Sequence, residues 1–376
     1  MQIRRLTEDD TDAMRRQFTE AFGAFDPPEP PVPIHAPGKH WWGVEVDGVL
    51  VATALDRAYD SWFGGAKVPT AGIGGVTVSP EHRGTGLLAD LLRTLHDGAR
   101  ERGAVVSTLY ATSPGIYRRL GYETVGSLDD VRLPTASLAL GGSTAVRRAT
   151  ADDADAVRAV HERVVAREHG PLSRTGDLFA EPPTLRVDGV SVAHRDGEVV
   201  GYASWDRGRG YGASGELRVW DVVADDPDAL RSLLTMLSRF DSVTPTTLLR
   251  TSGRGGWQHL LRTAHPTPVS STPYALAVLD PLALAHLPVP AGLGARLPFV
   301  VGDRSYALVL DEGSASVEEG DGSGRRLTAG GLALTFAGAQ TSAQLRLLDH
   351  LAGDATHDEH WDLLFCRGPV TVHDYF

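Results

Sequence analysis

One cysteine stands in 376 residues, Cys366. A disulfide within the chain is excluded, and so are the paired cysteines of zinc ribbons and fingers. A lone thiol fits a reducing, cytoplasmic compartment. Long apolar runs are also lacking: no stretch approaches the ~20 residues that cross a bilayer, so no membrane partner is expected. The start, Met1-Gln2-Ile3-Arg4-Arg5, carries no signal-peptide core. Positive charge is scarce, with 36 Lys and Arg against 48 Asp and Glu, a net charge of −12. A nucleic-acid partner would favour a basic patch, and none is expected. The acidic excess would steer a cationic small molecule towards the protein, and it serves plain solubility equally well. His357-Asp358-Glu359-His360 spaces its histidines as H-x-x-H, not H-E-x-x-H; it reads as a solvated polar stretch, and no metal is expected.

What is present is an ordinary globular composition, 42% hydrophobic and 22% charged, on a chain too long for one compact core. Two or three domains are expected. Ile3-Arg4-Arg5-Leu6-Thr7-Glu8-Asp9-Asp10-Thr11-Asp12-Ala13 recurs as Val146-Arg147-Arg148-Ala149-Thr150-Ala151-Asp152-Asp153-Ala154-Asp155-Ala156. Each copy reads as a short strand and a Thr-capped helix start rich in acid, the end of a helix that favours carboxylates. Asp47-Gly48 and Asp196-Gly197 each stand between apolar strands, as hairpin turns do. Two copies of one unit, each about 140 residues, explain both correspondences.

The copies differ after one strand. In the first, residues 71–78 read as a glycine-rich strand, Arg83-Gly84-Thr85-Gly86 follows, and Leu87, Leu88, Leu91, Leu92 and Leu95 recur at helical spacing. A strand, a Gly and Arg turn and a helix N-terminus make an anion site, where unpaired amides and the helix dipole converge. Gly84 and Gly86 allow close approach to a diphosphate, and Arg83 adds a fixed charge. In the second copy, residues 216–223 run into Asp225-Asp226-Pro227-Asp228, three carboxylates that would repel a diphosphate. That copy is expected to be structural. Taken alone, the R-x-x-G of the first copy is weak evidence in a chain with 42 glycines.

A second segment adds weight: a strand over 105–110, then Ala111-Thr112-Ser113-Pro114-Gly115-Ile116-Tyr117-Arg118-Arg119-Leu120-Gly121-Tyr122. With it the chain resembles acetyltransferases of the GNAT superfamily, whose acyl-CoA loop is R/Q-x-x-G-x-G/A and whose later motif is Y-x-x-x-G-F/Y. Pro69-Thr70-Ala71-Gly72, residues 76–83, Leu88 in place of the usual Gly or Ala, and the final Phe376 narrow the resemblance to the Eis-like family. The resemblance implies an α+β chain: a catalytic unit over 1–143, a degenerate GNAT-like unit over 144–280, both with mixed sheets and flanking helices, and a sterol carrier protein-like domain over 281–376 that ends in the active site. It also implies a homo-oligomer, generally a hexamer. From residue 281 the sequence reads as strands at 299–301, 306–310 and 332–336, then one helix marked by Leu345, Leu348 and Leu351. Residues 27–37, rich in proline, read as a loop where relatives often carry a helix.

Acetyl transfer from a thioester to an amine must hold the donor, take a proton from the amine and give one to the departing thiolate. The resemblance assigns acetyl-CoA to Val76, Thr77 and Val78, to Arg83, Gly84, Thr85, Gly86, Leu87, Leu88 and Ala89, and to Thr112 and Ser113. It makes Tyr117 the general acid, which suits a phenol protonated at neutral pH. It makes the carboxylate of Phe376 the general base, with His373 and Asp374 as rivals. Phe22, Phe25, Asp26, Trp41, Trp42 and Tyr375 are candidates for an aromatic, acidic amine pocket, or for core packing. The expected acceptor is a primary amine of a cationic small molecule, aminoglycoside or polyamine-like. The alternatives are a protein lysine or N-terminus, a longer acyl chain, and a non-catalytic lipid-binding scaffold.

Overall fold

The computed structural model describes residues 1–23, 33–179, 187–208, 210–253 and 256–376. Phe25 and Asp26, two of the expected pocket residues, and most of the proline-rich stretch lie outside them. The first unit runs β1 (Gln2–Arg5), α1 (Thr11–Phe22), β2 (Lys39–Val46), β3 (Val49–Phe63), β4 (Ala66–Val78), α2 (Leu87–Glu101), β5 (Val106–Tyr110), α3 (Pro114–Arg118) and β6 (Glu123–Pro134). The second runs β7 (Ala145–Arg148), α4 (Ala154–Val165), β8 (His169–Leu172), β9 (Gly189–Arg195), β10 (Glu198–Asp206), β11 (Glu216–Ala224), α5 (Pro227–Ser238), β12 (Thr246–Thr251) and β13 (Thr267–Val278).

The repeat in the sequence is a repeat in space. The Thr7 amide donates to Asp10, which also accepts two bonds from Arg4, each at 2.8 Å. Thr150, Asp153 and Arg147 build the same clasp at 2.7 and 2.8 Å. In both hairpins the two turn residues have positive φ (51° and 79° at Asp47 and Gly48, 52° and 86° at Asp196 and Gly197), as a twisted two-residue hairpin needs.

One sheet joins the two units, in the order β1-β2-β3-β4-β5-β13-β6-β12-β11-β10-β9-β7, with β8 pairing β3 off this path. The order is symmetric about its centre. β13, from the second copy, closes the first half beside β5, and β6, from the first, closes the second half beside β12. The units therefore exchange their inner strands, and a cut at 143/144 does not separate two self-contained sheets. Leu87, Leu91, Leu92, Leu95 and Ala99 bury one face of α2 on the first half, an amphipathic stripe.

The third unit holds β14 (Ala295–Val301), β15 (Arg304–Asp311), β16 (Ser314–Glu319), β17 (Arg325–Leu327), α6 (Ala329–Phe336), α7 (Ser342–Leu347), β18 (Leu351–Gly353) and α8 (Asp358–Phe365), with sheet order β16-β15-β14-β17-β18. Residues 332–336, expected as a strand, lie in α6. The Thr328 hydroxyl caps that helix by accepting from the Gly331 amide, and residues 330–336 are all buried. A helix buried all round shows no apolar period, so its sequence matches that of a buried strand. The single helix expected through Leu351 ends at Leu347, and Asp349 at φ 58° turns the chain into β18. Phe336 packs edge-on against Phe63 of β3 at 4.9 Å, which ties this unit to the first. The last residues form one bridge, Val370 to His169.

Candidate active site

The site starts from a break in β4. β3 and β4 shift register between Thr53↔Thr77 and Leu55↔Gly74, so β4 carries an extra residue there, and Gly75 adopts φ 55°. β4 pairs with β5 only over Thr70–Ile73. Beyond Ile73 the two strands part, and the edge of β4 through Val76, Thr77 and Val78 faces a cleft instead of a strand. Along this stretch Arg83 Nε donates to the Val78 carbonyl at 3.1 Å.

At the cleft's mouth, Gly84 and Gly86 adopt φ 77° and 89°, a region that favours glycine, and Gly86 precedes α2 with no side-chain cap. The amides of Gly84, Thr85, Gly86, Leu87 and Leu88 make no backbone hydrogen bond among the described residues, whereas Ala89 bonds back to Gly86. Arg83 and the turn are exposed, as are Thr112 and Ser113 beyond β5. Five free donors, a guanidinium and a helix dipole suit a diphosphate. In the second unit the same place is filled from within. Asp226 accepts from the Asp228 and Ala229 amides, Asp228 from the Ser143 and Thr144 amides, and Arg195 pairs with Asp226 at 3.0 Å.

Tyr117 on α3 is 7% exposed, with its ring 6.0 Å from that of Tyr122. Tyr122 is structural: its hydroxyl is engaged by Ser107 and by His96, at 2.5 and 2.7 Å. Burial raises the Tyr117 pKa, so the phenol keeps its proton through neutral pH.

The chain end leaves the third unit after α8 and runs along Glu168 and His169 of the second. The Thr371 amide donates to the His169 carbonyl at 2.7 Å, and the Thr371 hydroxyl to Glu168 at 2.6 Å. His373 Nε2 lies 3.1 Å from Glu168, and Arg174 joins Asp374 at 2.9 Å to Asp221 at 2.7 Å. Thr371 and His373 line a cavity of about 250 Å³ between β11 and β12, the counterpart of the cleft beside β4. Tyr110 then donates to the Asp374 carbonyl at 2.5 Å. The Phe376 ring lies 5.2 Å from Tyr59 and 5.4 Å from Tyr110, over Gly72 of β4. The rival bases are both engaged, His373 by Glu168 and Asp374 by Arg174.

The expected pocket residues divide. Trp41 is buried on Gly75, and Phe18 links it at 5.6 Å to Phe22, which is 48% exposed. Trp42 does not join them, because neighbours on a strand face opposite ways. It lies under Arg5 at 4.1 Å and against Gly98 of α2. Tyr375, 62% exposed, leans on Tyr110 at 4.8 Å. Sequence reasoning missed Arg57, Tyr59, Tyr110, Tyr274 and Arg174. The glycines at 72, 74 and 75 were the one available signal, since a strand face without side chains leaves room for something to lie across it.

Residues 2–125 match a family model described as an acetyltransferase (GNAT) domain, and residues 170–276 match another of the same description. An uncharacterized N-acetyltransferase of Streptomyces avermitilis is 32% identical over 218 residues, 53% of this chain and 53% of that protein; the chain thus spans about half of that relative's length. The N-acetyltransferase Eis of Mycobacterium bovis is 29% identical over 302 residues, 75% of this chain and 71% of that one. A solved GCN5-related N-acetyltransferase from Kribbella flavida superposes with a TM-score of 0.83 at 25% identity, covering 100% of this chain and 98% of that chain.

Proposed function

We propose that this chain, an Eis-like member of the GNAT superfamily with two GNAT domains in tandem, transfers the acetyl group of acetyl-CoA to a primary amine in its first unit. The contrast between the two copies carries the reading. One turn leaves five amides without a backbone partner and Arg83 exposed beside them, its Nε on the Val78 carbonyl, and the other fills the same place with Asp226 and Asp228. Val76, Thr77 and Val78 would hold the pantetheine arm along the open edge of β4, with Leu87, Leu88, Ala89, Thr112 and Ser113 around the mouth. Acetyl-CoA supplies the thioester. An N–C bond to the acetyl group forms as the C–S bond breaks. The Phe376 carboxylate takes the amine's proton, and Tyr117 returns one to the sulfur.

The third unit is read as sterol carrier protein-like, and its role here is to deliver the chain end. The net charge of −12 supports a cationic acceptor at long range, aminoglycoside or polyamine-like. The test is free-thiol release from acetyl-CoA with a panel of small amines. Tyr117→Phe should bind acetyl-CoA as the parent does and turn over about 10²–10⁴-fold more slowly. Parent-like turnover would make Tyr117 a packing residue, and a panel without amine-dependent release would remove the reading.

A further inference from the structure

Asp374, two residues before the chain end, is gripped from both units. Tyr110 closes β5 of the first unit, and its hydroxyl donates to the Asp374 carbonyl. Arg174 follows β8 of the second, and its Nε donates to the two Asp374 carboxylate oxygens at 3.0 and 3.3 Å. The same guanidinium turns Nη1 and Nη2 to Asp221, at 2.7 and 3.2 Å, and Nη1 also to the Tyr202 hydroxyl at 3.0 Å. A planar fork filled on both sides has one orientation, so Arg174 is a fixed post for the tail.

The place of Asp221 shows what the second unit has become. β10 and β11 shift register between Trp205↔Val219 and Ser204↔Asp221, so β11 carries one extra residue, Trp220. β11 pairs with β12 only over Glu216–Val219 and parts from it beyond. β4 is built in the same way: its pairing with β5 ends at Ile73, and the first pair past its extra residue is Thr53↔Thr77. Asp221 therefore stands where Thr77 stands on the edge proposed for the pantetheine arm. The second unit keeps the bulge and the parting of strands, and at that point it holds the arginine that holds the tail.

From Asp374 to Phe376 the chain spans about 6.6 Å when extended, at about 3.3 Å per residue. Over that stretch Tyr375 leans on Tyr110, and Phe376 on Tyr59, Tyr110 and Tyr274, through their rings. Ring contacts are less directional than a charged hydrogen bond, so Asp374 sets the direction in which the last residues point.

We propose that Arg174 and Tyr110 are positioning residues for acetyl transfer, which act through Asp374 to aim the Phe376 carboxylate at the amine. The second unit then serves the reaction by seating the base. The inference rests on the reading of that carboxylate as the base and adds the residues that place it.

The experiment follows thiol release from acetyl-CoA with one amine that the full chain acetylates, in the parent, Tyr110→Phe, Asp374→Asn, Asp374→Glu and the chain lacking Phe376. Tyr110→Phe removes one hydrogen bond and keeps the ring. Asp374→Asn leaves Arg174 on Asp221, so no buried charge is stranded. From the net worth of a neutral and a charged hydrogen bond, kcat should fall about 3–10-fold in Tyr110→Phe and about 10–10²-fold in Asp374→Asn. The KM for acetyl-CoA should stay at the parent's value, and Asp374→Glu should recover part of the loss. Both losses should shrink as pH rises from ~7 to ~9.5, because more of the amine then arrives without its proton and a placed base matters less. A loss by the same factor at every pH would mark loosened packing and overturn the inference. Parent-like kcat in both variants, beside an inactive chain lacking Phe376, would overturn it too and leave the base reading standing. Full turnover without Phe376 would remove the base reading and the inference with it. If Asp374→Asn fails to fold, Tyr110→Phe decides alone.

Discussion

Gly72→Ala places one methyl group in the narrowest gap beneath the chain end. The new Cβ would stand 2.6 and 2.7 Å from two ring carbons of Tyr59 and 3.0 Å from Cε2 of Phe376. Carbon atoms rest about 3.5–4.0 Å apart, so the Tyr59 ring must retreat by roughly 0.8–1.4 Å and the Phe376 ring by roughly 0.5–1 Å. The larger retreat falls on Tyr59, and because its ring packs against that of Phe376 at 5.2 Å, both rings shift together. Residue 72 is not among the glycines of positive φ, and its backbone accepts alanine without strain. Overpacking of this kind costs about 1–3 kcal/mol of stability, and a displacement of ~1 Å at the reacting groups lowers turnover by about 10²-fold. The anion turn at residues 83–88 is untouched, so acetyl-CoA should bind as before. The assay is kcat with one good amine, beside acetyl-CoA affinity and a thermal melt. Parent-like kcat in Gly72→Ala would show that the placement of Phe376 over β4 does not matter to the reaction.

Two further outcomes follow from the tail. Deleting Phe376 moves a terminal carboxylate back by about 3.3 Å and should abolish acetylation while acetyl-CoA still binds, whereas Phe376→Leu should stay partly active; undiminished turnover in the shortened chain would move the base elsewhere. Burial alone would lower the His373 pKa, but the hydrogen bond and charge of Glu168, with Asp221, raise it. The stabilisation it gives is therefore complete below its unfolded value near ~6.5 and fades as pH rises through the raised folded value. Glu168, which burial would push up, is instead held low by His373, so its contribution is present above its unfolded value near ~4.3 and fades only as pH falls through the lowered one. His373→Gln should lower the melting temperature more at pH ~5.5 than at pH ~9; equal losses would discount the pair.

Much of the first unit was legible because its signals are local. Asp47-Gly48 and Asp196-Gly197 fix their own turns, and the Thr7 and Thr150 clasps close within a few residues. The turn at 83–86 sits between a strand and a helix, as its glycines and leucines required. What stayed hidden depends on partners far away in sequence. The exchange of β6 and β13 leaves no mark on either strand, since an antiparallel backbone ladder is the same whichever unit its neighbour comes from. α6 is apolar on every side, so helix and strand periods were indistinguishable. Trp41 and Trp42 read as a pair, yet the pleat sends one to α1 and the other to α2. Arg174 is an ordinary arginine until Asp221 and Asp374 are placed beside it.

The most direct test counts acetyl-CoA on the full chain by titration calorimetry, in the parent and in Arg83→Glu. One site per chain is expected, because the second unit's turn is closed by its own aspartates, and the charge reversal at Arg83 should weaken that site roughly tenfold or more. Two equivalent sites per chain, or a single site of unchanged affinity in Arg83→Glu, would contradict the assignment of acetyl-CoA to the first unit.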